Sequence, residues 1–240
     1  MLNKSYYDID DSMDFSSEGK KKLSVTKSNP FISIGLIGDS LICRPYDLFD
    51  LTGKIKTLLP KYYNITFTNY AKNGNTISNV RENQLDICLK DNPDIILLFW
   101  DSDCSDIDEH IMDLEQVNTT RKAYIKDLEY VVSEIIKRGI YFTFGGPAIL
   151  GEGLIGKPSR FWFKDSMLDD YRLMNQKVAI KFGVDYMDIR QAFLDAIPYY
   201  WPFAKGYLTV DGEHENNVGS GIVAKHFADA ILKYLHKKVN

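Results

Sequence analysis

Beyond Pro30 the apolar residues keep switching period, and that alternation constrains the fold more than any other feature of the chain. Phe31-Ile-Ser-Ile-Gly-Leu-Ile37 and Asp94-Ile-Ile-Leu-Leu-Phe-Trp100 are short continuous runs with the length and composition of strands buried on both faces. Between them, Leu48, Leu51, Ile55, Leu58 and Leu59 recur at helical spacing, and Ile65-Thr-Phe67 then alternates as a second strand. A helix over about 78 to 90 carries Val80, Leu85 and Cys88 and stops before Asn92-Pro93, since a residue preceding proline is pushed out of the helical region. Further on, Tyr124, Leu128, Val131, Val132, Ile135 and Ile136 mark one face of a helix over about 119 to 138, ended by Gly139. Ile140-Tyr-Phe-Thr-Phe144 follows as the fourth strand, with a Gly-rich, aromatic loop running to about 164. A helix over about 165 to 182 ends at Gly183, Val184-Asp-Tyr-Met-Asp188 forms a short fifth strand, and Asn217 to Lys237 is the last helix.

Strands alternating with helices predict an α/β fold, a three-layer αβα sandwich around a mostly parallel five-stranded sheet, with the very apolar Asp94–Trp100 run central. One domain over 30–240, preceded by a polar, mobile leader over 1–29, accounts for the chain. At 240 residues and 45% hydrophobic, the chain can bury enough core to fold without staples. The three cysteines, Cys43, Cys88 and Cys104, are odd in number and irregularly spaced, which fits neither a disulfide framework nor a zinc site. No cofactor or metal is called for, and a reducing, cytoplasmic setting is expected from the absence of a signal-peptide core or membrane-length apolar run. A net charge of −4 with both signs interspersed gives no basic footprint, so neither nucleic acid nor an anionic membrane is an expected partner. Oligomeric state is not set by the sequence.

In a parallel sheet the carboxyl ends of all strands open on one edge, where α/β proteins place their ligands. The first strand ends in Gly38-Asp39-Ser40. Serine becomes a nucleophile only when a base takes its proton and a third group orients that base. Of four histidines, His226 and His236 fall in the last helix and His110 in an acidic loop. His214 lies in the polar turn Thr209-Val-Asp-Gly-Glu-His-Glu-Asn-Asn217, three residues after Asp211, so a turn can fold that carboxylate onto one ring nitrogen and leave the other for Ser40. The bland alternative is an Asp-Gly turn with an exposed histidine before a helix cap. The second strand end, Asn69-Tyr-Ala-Lys-Asn-Gly-Asn-Thr76, offers the Gly74 N–H to a developing oxyanion. The third, Trp100-Asp-Ser-Asp-Cys104, offers side-chain donors. With Asp106 and Asp108 it could also hold a hard cation, but it lacks the spacing of an ordered DxDxDG loop.

Taken in order, Gly38-Asp39-Ser40-Leu41, Gly74, the polar block after the third strand and Asp211-Gly-Glu-His214 together resemble the SGNH-hydrolase superfamily, the GDSL-type esterases and lipases. The resemblance spans about 31 to 237 and implies a flavodoxin-like SGNH fold acting on a small-molecule ester. It implies Ser40 as nucleophile, Asp211 and His214 as the rest of the triad, and the N–H groups of Ser40 and Gly74 as oxyanion donors. Where the family pattern Gly-x-Asn-Asp is expected, this chain has Trp100-Asp101-Ser102-Asp103, placing Ser102 at the position of the third, asparagine donor. Asp39, Trp100 and Asp101 are then expected to line the substrate site, with Trp100 crowding it toward small acyl groups or presenting a flat face to a sugar. Phe161-Trp-Phe163 and Tyr199-Tyr-Trp-Pro-Phe203 are the expected pocket walls. The reading is a serine esterase acting on a small acyl group attached to a carbohydrate or lipid alcohol. A catalytically weakened binding module and an acyltransferase are the alternatives raised by Ser102.

Overall fold

The sheet is parallel throughout, in the order β2-β1-β3-β4-β5, built from β1 (Phe31–Gly38), β2 (Asn64–Asn69), β3 (Ile95–Phe99), β4 (Tyr141–Gly145) and β5 (Asp185–Met187). The computed structural model describes residues 30–43, 50–101, 103, 114–150, 152, 160–197 and 207–239. The leader expected over 1–29, Ser102 and the Tyr199–Phe203 wall lie outside the described residues, as do Cys104, Asp106, Asp108 and His110. The side chains of Phe161–Phe163 also lie outside that description.

Period-two alternation distributes each strand between two cores. Ile32, Ile34 and Leu36 of β1, with Ile95, Leu97 and Phe99 of β3, face α2 (Leu51–Leu58) and the closing helix, meeting Ile55, Phe227 and Ile231. Ile37, Ile96, Leu98 and Phe144 point the other way, against Val80, Leu85, Leu128, Val131 and Tyr171. All five residues of β3 are buried, as a central strand covered on both faces requires. The three-layer αβα sandwich expected from the periodicity is therefore the observed fold.

Helix boundaries differ in instructive ways. The helix expected over 78 to 90 is α3 (Ile77–Asn79), one π-helical turn (Val80–Gln84) and α4 (Leu85–Asp91), with Thr76 and Asn79 forming a capping box at its start. The extra residue of the π turn keeps Val80, Leu85 and Cys88 in the core while also turning the amide of Gln84 inward; all four are at most 1% exposed. After β3, α5 (Leu114–Lys137) begins about five residues earlier than its apolar face implies, because residues 115–120 are mostly polar and exposed, with Val117 packed against the core. α6 (Arg160–Phe182) likewise takes in residues read as loop. α7 (Ile189–Ala196) is not evident from periodicity, since Arg190 stands at an inward position. That arginine is 2% exposed and is satisfied by Asp169 and the Ala148 carbonyl. α8 (Asn217–Val239) closes the chain.

Strand order fixes where a ligand can sit. The chain passes from β1 outward to β2 and then returns to β3 on the other side of β1, so the helical connections diverge at the carboxyl ends of β1 and β3. Gly38 is paired with Phe99 at that crevice. Its φ of 149° lies in glycine territory, and a Cβ there would meet the Phe99 carbonyl oxygen at 2.0 Å. Gly38→Ala must push β1 and β3 apart, at a cost of about 2–5 kcal/mol against the usual ~5–15 kcal/mol of total stability. Thermal melts should show a midpoint lower by roughly 5–15 °C; an unchanged midpoint would mean that the strands do not meet this way.

Candidate active site

Ser40 opens the short helix α1 (Ser40–Cys43) directly after β1, half-buried at the crevice. Its Oγ lies 3.0 Å from Nε2 of His214, whose Nδ1 lies 2.6 Å from Oδ2 of Asp211. A carboxylate only accepts, so the Nδ1 contact places the ring proton on that nitrogen, leaving Nε2 as the acceptor for the serine hydroxyl. The tautomer follows from this network. Asp211 Oδ1 additionally accepts the backbone N–H groups of Glu213 and His214, at 3.1 and 2.8 Å. The Asp211 side chain is 52% exposed and that of His214 28% exposed, so solvent screens their charge interaction.

The turn bearing both residues is closed on itself. Thr209 and Glu215 form an antiparallel bridge, Val210 N–H donates to the His214 carbonyl at 2.8 Å, and Asn216 N–H donates to the Leu208 carbonyl at 2.7 Å. Gly212, at φ 98°, supplies the reversal at the tip. Asn216 Oδ1 then accepts from Val218 and Gly219 N–H groups and starts α8.

On the serine side, Gln84 grips Gly38 at both ends. Its Nε2 donates to the Gly38 carbonyl at 2.8 Å and its Oε1 accepts the Gly38 N–H at 3.0 Å. Asp39, fully buried, accepts the Leu41 N–H on Oδ1 and the Asp101 N–H on Oδ2, at 2.9 and 2.8 Å. Two side chains thus fix the backbone on either side of the strand-to-helix turn. Gln84 escapes sequence reasoning because it looks like a surface residue of an amphipathic helix; only the π turn brings it inward.

The remaining candidates divide. The loop carrying Gly74 runs beside the serine turn, since Lys72 N–H donates to the Gly38 carbonyl at 3.1 Å. Gly74 has a φ of 67° in an exposed turn. Asp39, Trp100 and Asp101, expected to line a substrate site, are 0, 2 and 1% exposed and have no face to offer a ligand. The Trp100 ring packs between Tyr124 and Phe144 in the core, and its Nε1–H donates to Asp103, which also accepts the Ile77 N–H. The side chain alternates inward with Ile96 and Leu98, a consequence of strand period that overrides its value as a stacking surface. Among the described residues, no group of three or more His, Cys, Asp or Glu side chains is arranged to hold a metal ion. His226 lies in α8, and its burial pushes its imidazole below the ordinary histidine range.

Asp101 carries a cost that pH reveals. Among the described residues neither of its carboxyl oxygens has a hydrogen-bond partner. Burial, and then the nearby charges of Asp39, Glu213 and Glu215, raise its pKa well above the usual carboxylate range. The folded state thus holds a proton that the unfolded chain releases, so stability falls as pH rises through the interval above the ordinary aspartate pKa of ~3.9. Asp101→Asn removes that loss. Chemical denaturation from pH 4 to 8 should find the variant gaining on the wild type as pH rises; parallel curves would contradict the assignment.

No protein-family model matches the chain, and no curated protein matches its sequence. Solved structures do. The acetyl xylan esterase AlAXEase superposes with a TM-score of 0.69 at 23% identity, over 83% of this chain and 100% of that one. The acetylxylan esterase Axe2 from Geobacillus stearothermophilus gives 0.63 at 19%, over 83% and 94%. LAE5, an alpha/beta hydrolase from the metagenome of Lake Arreo, Spain, also gives 0.63 at 19%, over 83% and 94%. At these identities the likeness shows a shared fold.

Proposed function

We propose that the protein is an SGNH-type serine esterase that removes a small acyl group, acetyl foremost, from a carbohydrate hydroxyl. The observation that carries this is the hydrogen-bonded series Ser40–His214–Asp211, with links of 3.0 and 2.6 Å, at the crevice of the sheet. The acetyl and carbohydrate parts rest on the fold shared with acetyl xylan esterases.

In this reading His214 Nε2 takes the Ser40 hydroxyl proton as Oγ bonds to the ester carbonyl carbon. The carbonyl electron pair moves to oxygen, which the N–H groups of Ser40 and Gly74 receive; neither N–H has an acceptor among the described residues. Ser102 would supply a third donor. Collapse of the tetrahedral adduct breaks the bond to the alcohol oxygen, which leaves with the proton from His214. Water, deprotonated by His214, then attacks the acyl-serine, the carboxylic acid departs as His214 returns its proton to Ser40 Oγ, and the acid ionises in solvent. Asp211 holds the imidazole in the required tautomer throughout.

A series of p-nitrophenyl esters from acetate to palmitate, run beside an acetylated xylo-oligosaccharide, tests the reading. Acetate turnover that falls with chain length, together with acetate release from the sugar, is expected. A folded protein inert toward every member would overturn it. Added free sugar that diverts acyl groups from water would instead reveal transfer.

A further inference from the structure

Glu152 is a buried carboxylate outside the series described above. It sits in the segment after β4, is 2% exposed, and among the described residues its hydrogen bonds all go to the two residues that open the His214 turn. Its Oε1 accepts the Leu208 N–H at 2.8 Å. Its Oε2 accepts the Leu208 N–H at 3.0 Å and both the N–H and the hydroxyl of Thr209 at 2.6 Å. Among the described residues no cation meets this charge. A buried carboxylate without a counter-ion is costly, and charge-assisted bonds from fixed donors are what make it tolerable.

The bonds continue toward the reacting groups. Thr209 Oγ1, having donated to Glu152, accepts the Gly212 N–H at 3.1 Å, and Gly212 adjoins Asp211. From the Glu152 carboxylate to the residue that orients His214 there are thus two hydrogen bonds and one peptide link. A carboxylate serving only to anchor the fold would be expected to tie elements of the sheet together. Among the described residues this one hydrogen-bonds to no strand of the sheet, only to the entry of one turn.

Resting on the esterase reading, we infer that Glu152 is a positioning residue that holds the 209–215 turn, and with it His214, in register with Ser40. Glutamine cannot replace it. The amide keeps one acceptor oxygen for Thr209 but turns an N–H₂ toward the Leu208 N–H, setting donor against donor. Displacement of a reacting group by about 1 Å costs as much as ~100-fold in rate, so Glu152→Gln should lower kcat by about 10- to 100-fold with KM nearly unchanged.

The test measures wild type, Glu152→Gln, Thr209→Val, Thr209→Ser and the double variant Glu152→Gln/Thr209→Val on p-nitrophenyl acetate, well below each melting midpoint. The downfield proton resonance of His214 Nδ1–H is recorded for each. Expected are a kcat loss in Glu152→Gln and Thr209→Val, recovery of most of the rate with Thr209→Ser, and a double variant no slower than the slower single one. The Nδ1–H resonance should shift or broaden wherever kcat falls. A lowered melting midpoint with kcat and resonance unchanged would make Glu152 a fold anchor and overturn the inference. A wild type inert toward esters sinks the esterase reading instead, and the resonance still decides whether Glu152 holds the imidazole.

Discussion

Ser40→Ala is expected to cut p-nitrophenyl acetate turnover on the order of 10⁶-fold, the loss seen when a serine hydrolase gives up its nucleophile. The fold should survive. The hydroxyl has His214 as its hydrogen-bond partner, the residue is half-buried at the first position of α1, and alanine is compatible with a helix start. Far-UV circular dichroism and the melting midpoint should match those of the wild type, which separates lost chemistry from lost structure. Retention of more than about a thousandth of the wild-type rate would assign turnover to another group.

His214→Ala is expected to cost nearly as much. The backbone bonds of residue 214, its N–H to Asp211 and its carbonyl to Val210, do not depend on the imidazole, so the turn should persist. What disappears is the acceptor of the serine proton. Groups that act as one unit are grossly non-additive, so Ser40→Ala/His214→Ala should be no slower than either single variant. A product of the two losses would mean that serine and imidazole act independently. The residual rate then reports the proposed oxyanion donors, and Gly74→Ala, strained at φ 67°, probes one of them.

The fold was legible because strand and helix periods alternate without interruption, and because a five-residue run as apolar as Ile95–Phe99 has few places to go except the centre of a sheet. α7 and the π turn were not, for a common reason. Arg190 and Gln84 are polar side chains turned inward, where period-based reasoning expects apolar ones, and each is satisfied by groups that only the tertiary structure brings near. The site was legible to the extent that it is local. Asp211 and His214 are three residues apart in one turn, and Ser40 follows a strand directly. Glu152, 56 residues before the nearest group it binds, left no local signal. Trp100 shows the opposite error, since its position in the polar block suggested a substrate face while strand alternation buries it against Tyr124 and Phe144.

The central claim is that Ser40 is activated by His214, and covalent capture addresses it without any assumption about substrate. Incubated with a fluorophosphonate, the folded 240-residue chain should gain the mass of one phosphonyl group, mapped to the peptide containing Ser40, and His214→Ala should lose that labelling. Native protein that stays unmodified, or an adduct on another residue, would contradict the account.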